Sequence, residues 1–209
     1  RAGAMRDEPF EERKERLFQE YRRLVGRRNE PRGESNGVLQ RWRDPVLTAA
    51  HAPPFWRYDL DPATNPRLME RLGINAVFNP GAMALGDRFL LMARVEGVDR
   101  KSFFAVAESA TGVDGFEFWD RPVVMPQTGE PDVNVYDMRL VEHEDGWIYG
   151  LFCTERKDPQ APPGDLSSAI AQCGIARTRD LVSWERLADL ETRRIVLDDD
   201  TKPPEADDS

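Results

Sequence analysis

The first patterned segment of the chain, residues 7–28, places its apolar side chains at helical spacing. Its single apolar stripe consists of Phe10, Leu17, Tyr21, Leu24 and Val25. Acidic residues come early in the segment and arginines late, which is the order that the helix dipole favours. We therefore expect an N-terminal amphipathic helix, whose stripe packs either on its own domain or on another subunit.

From about residue 75 onward, the apolar runs become short and are separated by turn signals. Two stretches, 86–119 and 145–184, have the same order of turn, apolar strand, loop, second apolar strand and tryptophan. Asp87 and Gly146 lie 59 positions apart, and Trp119 and Trp184 lie 65 apart. A short-strand unit repeated at this interval is typical of a β-propeller blade, whereas a sandwich of hairpins is the alternative that a single duplication leaves open.

Length and charge limit the domain organisation and the partners. The 209 residues suffice for one domain with appendages. We expect a helical extension over 1–32, a β-domain over 33–192 and an acidic, disordered tail over 193–209, which has almost nothing to bury. The net charge of −9 argues against a nucleic-acid or anionic-membrane partner, since both reward positive charge.

Residue types and apolar runs exclude several further classes of protein. No apolar run approaches the roughly 18 residues of a transmembrane helix, and the charged N-terminus has no signal-peptide core. Two cysteines and two histidines make a disulfide framework or a metal site an unfavoured interpretation. We expect a cytoplasmic protein without a metal or cofactor. The chain starts at Arg1 rather than Met, which suggests a fragment.

Three polar stretches at strand ends are candidates for chemistry. In the first, 75–97, Arg94 and Glu96 form either a salt-bridged loop or part of a site. In the second, 130–139, a strand would place Asp137 and Arg139 on one face and Tyr136 on the other. Asp137 and Arg139 then form an ordinary ion pair, or Asp137 is a general acid or base beside a cation. In the third, 154–158, the charges form a solvated surface or, together with the arginines at 177 and 179, an anion site.

Five runs of this sequence carry a family resemblance: 55–60 (FWRYDL), 78–82 (FNPGA), 93–104 (ARVEGVDRKSFF), 134–140 (NVYDMRL) and 143–157 (HEDGWIYGLFCTERK). Together they resemble glycoside hydrolase family 130, from about Tyr21 to Leu197. The resemblance implies an all-β fold, a five-bladed propeller with its active site in the central depression, preceded by the N-terminal α-helix. About half of that ring is present here.

The resemblance also implies a reaction, namely inverting, reversible phosphorolysis of β-1,4-mannosyl-glucose to α-mannose 1-phosphate and glucose. Phosphate is then a co-substrate and no cofactor is needed. The family's catalytic aspartate matches Asp137, which is thought to protonate the glycosidic oxygen through the mannose 3-hydroxyl. The remaining residues predicted for the site are, for the sugar, Asn79, Arg94, Tyr136 and Arg139, and, for phosphate, Arg156, Lys157 and Arg177.

The residue inventory agrees with phosphorolysis. An inverting hydrolase needs a second carboxylate to activate water, whereas phosphate is already an anionic nucleophile and needs a cationic cradle. Two alternatives stay open: a mannooligosaccharide phosphorylase of the same family, and a non-catalytic carbohydrate-binding remnant.

The similarity departs from the family pattern after about Leu197, where the acidic tail begins. We expect either a fragment or a frameshift or early stop, and a chain that is inactive by itself. We expect the complete protein to be a homo-oligomer.

Overall fold

The computed structural model describes residues 8–129, 131–165 and 167–190. The predicted acidic tail over 193–209 therefore lies outside the described residues, as do the first seven residues of the predicted helical extension.

The predicted N-terminal helix is present as α1, Phe10–Val25. Glu11 and Glu12 occupy its first turn and Arg22 and Arg23 its last, as the helix dipole favours. All of α1 is described, and none of its residues is fully buried. A 3-10 turn at Ala49–His51 and a short helix, α2, at Pro54–Arg57 follow. Within the described ranges, no helix is long and apolar enough to cross a bilayer.

The rest of the described chain forms two four-stranded antiparallel sheets, each with its strands in sequence order. The first sheet contains β1 (Ile74–Leu85), β2 (Arg88–Gly97), β3 (Ser102–Ser109) and β4 (Glu117–Phe118). The second contains β5 (Asn134–Glu142), β6 (Ile148–Lys157), β7 (Ala169–Thr178) and β8 (Trp184–Leu190). The protein is thus mostly β, as predicted.

The two sheets are copies of one unit, with one correction to the predicted alignment. Glu117 pairs with Glu108, and in the second sheet Glu185 pairs with Arg177. The residue preceding Glu117, Phe116, therefore corresponds to Trp184. Trp119 was the wrong counterpart, because sequence spacing cannot show how many residues the loop before the last strand contains.

The main core lies between the two sheets. Leu90, Met92 and Phe104 of the first sheet pack against Met138 and Phe152 of the second, and the Phe104 and Phe152 rings meet edge to face at 5.7 Å. Burying these side chains supplies the main attraction that holds one sheet on the other, since each contributes roughly 1.5–3 kcal/mol.

The outer faces of the two sheets differ. On the first sheet, the residues Leu91, Ala93 and Val95 are covered by the preceding segment, in which Trp56 contacts Phe103 and Phe118. On the second sheet, Leu151 and Leu190 stay 39% and 42% exposed and line an open cavity of about 460 Å³. The second sheet is therefore apolar on both faces and covered on one.

Gly81 sets the distance between the first strands of the two sheets. A Cβ at this position would collide with the Met138 carbonyl oxygen and come within 3.2 Å of the Arg139 Cα. Because both are backbone atoms, Gly81→Ala is expected to lower the free energy of unfolding by about 1–3 kcal/mol, as overpacking does. Urea denaturation measures this change. Gly129→Ala is the control, since a Cβ there meets no atom within 4 Å, and an equal loss in both variants would contradict the explanation.

Candidate active site

The candidate site is built on two matching β-bulges, one in the first strand of each sheet. The register shifts between Phe78 and Gly81 in β1, and between Tyr136 and Arg139 in β5. Inside these bulges, Asn79 and Asp137 have left-handed backbone conformations, with φ of 46° and 58°. Asn and Asp are the non-glycine residues that adopt this conformation most readily.

The bulge in β5 corrects the predicted alternation of side chains. Tyr136 pairs with Cys153 and Arg139 with Leu151, so Tyr136 and Arg139 lie on the same face, not on opposite faces. Asp137 and Met138 together oppose one residue of β6, and Met138 is fully buried between the sheets. An inserted residue breaks the period of two on which the prediction depended.

The Asp137 carboxylate receives donors from the first sheet. Asn79 Nδ2 donates to its Oδ2 at 3.1 Å, and Arg94 Nη1 lies 3.4 Å from Oδ1. The Asp137 side chain is 32% exposed, against 14% for Arg94. Asp137 is thus a solvent-accessible carboxylate held by one amide and one cation.

Arg94 is itself fixed on several sides. Its guanidinium lies 4.6 Å from the Phe78 ring centre and 4.3 Å from that of Tyr136. Its Nε donates to Ser102 Oγ at 2.9 Å, and its Nη2 contacts Glu96 Oε2 at 3.2 Å. Planar stacking and directed hydrogen bonds suit a guanidinium and would not suit an ammonium group.

The remaining two predicted sugar-site residues join the same cluster. Arg139 Nη1 donates to the backbone oxygen of Asn79 at 3.1 Å and so links the two bulges. The Tyr136 hydroxyl donates to Glu155 Oε1 at 2.6 Å. Burial, followed by hydrogen bonds to Cys153 and Glu155, raises the pKa of Tyr136 above its ordinary value. The phenol is therefore a hydrogen-bond donor at neutral pH.

Arg156, a predicted phosphate residue, lies in a buried network of ion pairs. It contacts Asp189 and Asp132, and both carboxylates also bind Arg186. Burial alone would raise the pKa of Asp189, but the hydrogen bonds from Arg156 and Arg186 outweigh this effect and hold that pKa below its ordinary value. Arg156 also donates to Gln172 Oε1 at 2.8 Å.

The other two predicted phosphate residues lie away from Asp137. Lys157 is exposed at the end of β6. Arg177 of β7 pairs with Tyr149 near the start of β6, binds Glu185 at 2.8 Å and stacks on Trp147 at 4.3 Å. The fold thus gathers the five predicted catalytic and sugar residues into one cluster and does not bring Arg177 into it.

Sequence reasoning named Glu96 beside Arg94, as a salt bridge or as part of a site, but assigned no role to Ser102 or Arg186. Glu96 and Ser102 hold Arg94, and Glu155 holds Tyr136. Asp132 and Arg186 lie under Arg156 with side chains only 3% exposed. Charged residues of this kind are common on surfaces, so only their burial shows that they are structural.

The cluster can donate or accept a proton at Asp137, beside a fixed cation. Groups of three or more His, Cys, Asp or Glu side chains arranged to hold a metal ion are absent from residues 8–129, 131–165 and 167–190.

Comparison with solved structures finds glycosidases. A glycosyl hydrolase from Bacteroides ovatus matches with a TM-score of 0.48 and 18% identity, over 68% of this chain and 37% of that one. A putative glycosidase from Bacteroides thetaiotaomicron matches with a TM-score of 0.44 and 18% identity, over 68% of this chain and 38% of that one. No family model matches the sequence.

Comparison with curated proteins finds a much more similar relative. A phosphorylase from Bacteroides fragilis is 59% identical over 192 residues, which cover 90% of this chain and 49% of that protein. The chain therefore spans about half the length of the curated relative that it matches. The resemblance predicted from the sequence is confirmed: over nine-tenths of its length, this chain is similar to a 4-O-β-D-mannosyl-D-glucose phosphorylase.

Proposed function

We propose that this chain is part of a glycoside phosphorylase that cleaves β-1,4-mannosyl-glucose with phosphate and inverts the anomeric centre, giving α-mannose 1-phosphate and glucose. The observation that carries the proposal is the 59% identity to a mannosyl-glucose phosphorylase, over a segment in which the fold collects Asp137, Asn79 and Arg94 into one cluster.

In the proposed mechanism, Asp137 is the proton donor. Departure of glucose requires a proton on the glycosidic oxygen, delivered from Asp137 through the mannose 3-hydroxyl. Asn79 and Arg94 restrict the carboxyl group to one orientation, which general acid catalysis requires. A carboxyl that is 32% exposed can still reach a bound sugar.

Phosphate replaces the activated water of an inverting hydrolase. It attacks the anomeric carbon from the face opposite the leaving oxygen, and therefore needs cations that offset its charge and hold it in line. We propose Arg156 for this task, with Lys157 and Arg177, which lie away from Asp137, predicted by the resemblance alone. Before phosphate binds, the ion pair with Asp189 keeps the Arg156 guanidinium in place. When phosphate binds, Arg156 would exchange part of this contact for a contact with the phosphate.

We further propose that the two sheets are two blades of a five-bladed propeller. Two copies of a four-stranded antiparallel unit support this, as does the approach of β1 to β5 at Gly81. In a propeller the first strand of each blade lines the central depression, and both bulges lie on first strands. The proposed complete protein is a cytoplasmic homo-oligomer with no cofactor, no nucleic-acid partner and no membrane association.

Phosphate dependence tests the proposed function. We would join this sequence to the remaining half of the Bacteroides fragilis relative and assay the resulting full-length chain on mannosyl-glucose, with and without phosphate. We expect glucose release only with phosphate, in equal amounts with α-mannose 1-phosphate. Equal glucose release in phosphate-free buffer would contradict the proposal. Faster turnover of mannobiose than of mannosyl-glucose would instead assign the chain to the mannooligosaccharide phosphorylases.

A further inference from the structure

The two cysteines of the chain lie directly opposite each other in the second sheet. Cys153 of β6 pairs with Cys173 of β7, in a register that has no shift along either strand. Both thiols are free and half-buried. Both side chains line the open cavity of about 460 Å³ to which Asp137 also contributes.

The hydrogen-bond pattern shows which kind of pair this is. The Asp158 amide donates to the Ser168 carbonyl oxygen at 3.3 Å, so Asp158 and Ser168 form a hydrogen-bonded pair. Hydrogen-bonded and non-hydrogen-bonded pairs alternate along antiparallel strands. Cys153 lies five positions before Asp158, so Cys153 and Cys173 form a non-hydrogen-bonded pair.

This class of pair has a geometry that a disulfide can bridge. The Cα atoms of a non-hydrogen-bonded pair are about 4.5 Å apart, with side chains on the same face. A disulfide needs a Cα separation of roughly 4.4–6.8 Å. The two thiols therefore need only side-chain rotation, and no movement of the strands, in order to meet.

We propose that Cys153 and Cys173 are a modification site, at which a mild oxidant such as hydrogen peroxide forms a reversible disulfide across β6 and β7. One thiolate attacks the peroxide O–O bond, giving a sulfenic acid and hydroxide. The second thiolate attacks the sulfenic sulfur, forms the S–S bond and releases hydroxide. The two thiol protons and the two hydroxides make two waters, as the thiols lose two electrons and the peroxide gains two.

The disulfide forms next to the candidate acid. The Cys153 thiol contacts the Tyr136 hydroxyl, and that contact is one cause of the raised pKa of Tyr136. Tyr136 directly precedes Asp137 and stacks on Arg94 at 4.3 Å. Oxidation therefore removes a hydrogen-bonding thiol from the cluster that holds Asp137.

The test is oxidation of the folded chain by a small excess of hydrogen peroxide, followed by alkylation and mass spectrometry. We expect a monomer that has lost both free thiols, a linked pair of tryptic peptides 140–156 and 158–177, and recovery of both thiols with dithiothreitol. Cys153→Ser and Cys173→Ser are matched controls, in which no intramolecular link can form.

A second measurement on the unsubstituted chain keeps the proposal falsifiable if either variant fails to fold. Oxidation is expected to be faster in the folded chain than in urea, because pairing of the strands holds the thiols together. Two thiols that survive in the folded chain, a link only between molecules, or an equal or faster rate in urea would each overturn the proposal.

Discussion

Asp137→Asn is expected to lower phosphorolysis by a full-length chain at least about a hundredfold, the lower range for loss of a general acid. The amide keeps the size of the carboxyl group and can still accept a hydrogen bond from Asn79 or Arg94, which bind Asp137 at 3.1 and 3.4 Å. It cannot supply the proton that glucose needs in order to leave. The measurement is kcat for mannosyl-glucose at saturating phosphate.

Asp87→Asn is the matched control for this substitution. Asp87 lies in the two-residue turn between β1 and β2, outside the Asp137 cluster. The control variant is expected to keep full activity. Near-normal turnover by Asp137→Asn would show that another group donates the proton.

Asp132→Asn is expected to lower the free energy of unfolding by about 3 kcal/mol, because removing one partner leaves a buried charge incompletely paired. Asp132 and Arg186 are each 3% exposed and bind each other. Among the residues that the structure describes, Arg186 Nε has no hydrogen-bond partner, so the guanidinium is held mainly by two carboxylates, Asp132 and Asp189. Urea unfolding of this chain, followed by circular dichroism, gives the value.

The same Asp87→Asn variant is the control for stability. An exposed substitution of this kind is expected to change the unfolding free energy by less than about 0.5 kcal/mol. If Asp132→Asn changed it as little, the buried network would contribute no net stability and would not be what holds Arg156 in position.

Much of the fold could be predicted from local patterns. The stripe containing Leu17 and Tyr21 predicted α1, and short apolar runs between turn signals predicted the strands around Leu90 and Phe152. These elements follow from periods that sequence records directly. The alignment of Trp119 with Trp184 failed, since a spacing between residues does not contain the register between strands.

The candidate site was likewise predicted in part from the sequence, and its remaining features became visible only in the structure. Family resemblance pointed to Asp137, Asn79 and Arg94, and the structure brings them together. The bulges that aim these side chains had no sequence signal that could be recognised, because a bulge depends on pairing with a neighbouring strand. The alternation predicted for Tyr136 and Arg139 was wrong for this reason.

The sequence by itself determined the element types and the duplicated unit, because period and spacing are properties of the chain, and its family resemblance pointed to the candidate acid. Only the tertiary structure decided that Asp132 and Arg186 form a buried ion pair, and that Cys153 faces Cys173. Those pairings join residues 20 or more positions apart. Their energies come from burial and from strand register, and both exist only once the two sheets have packed.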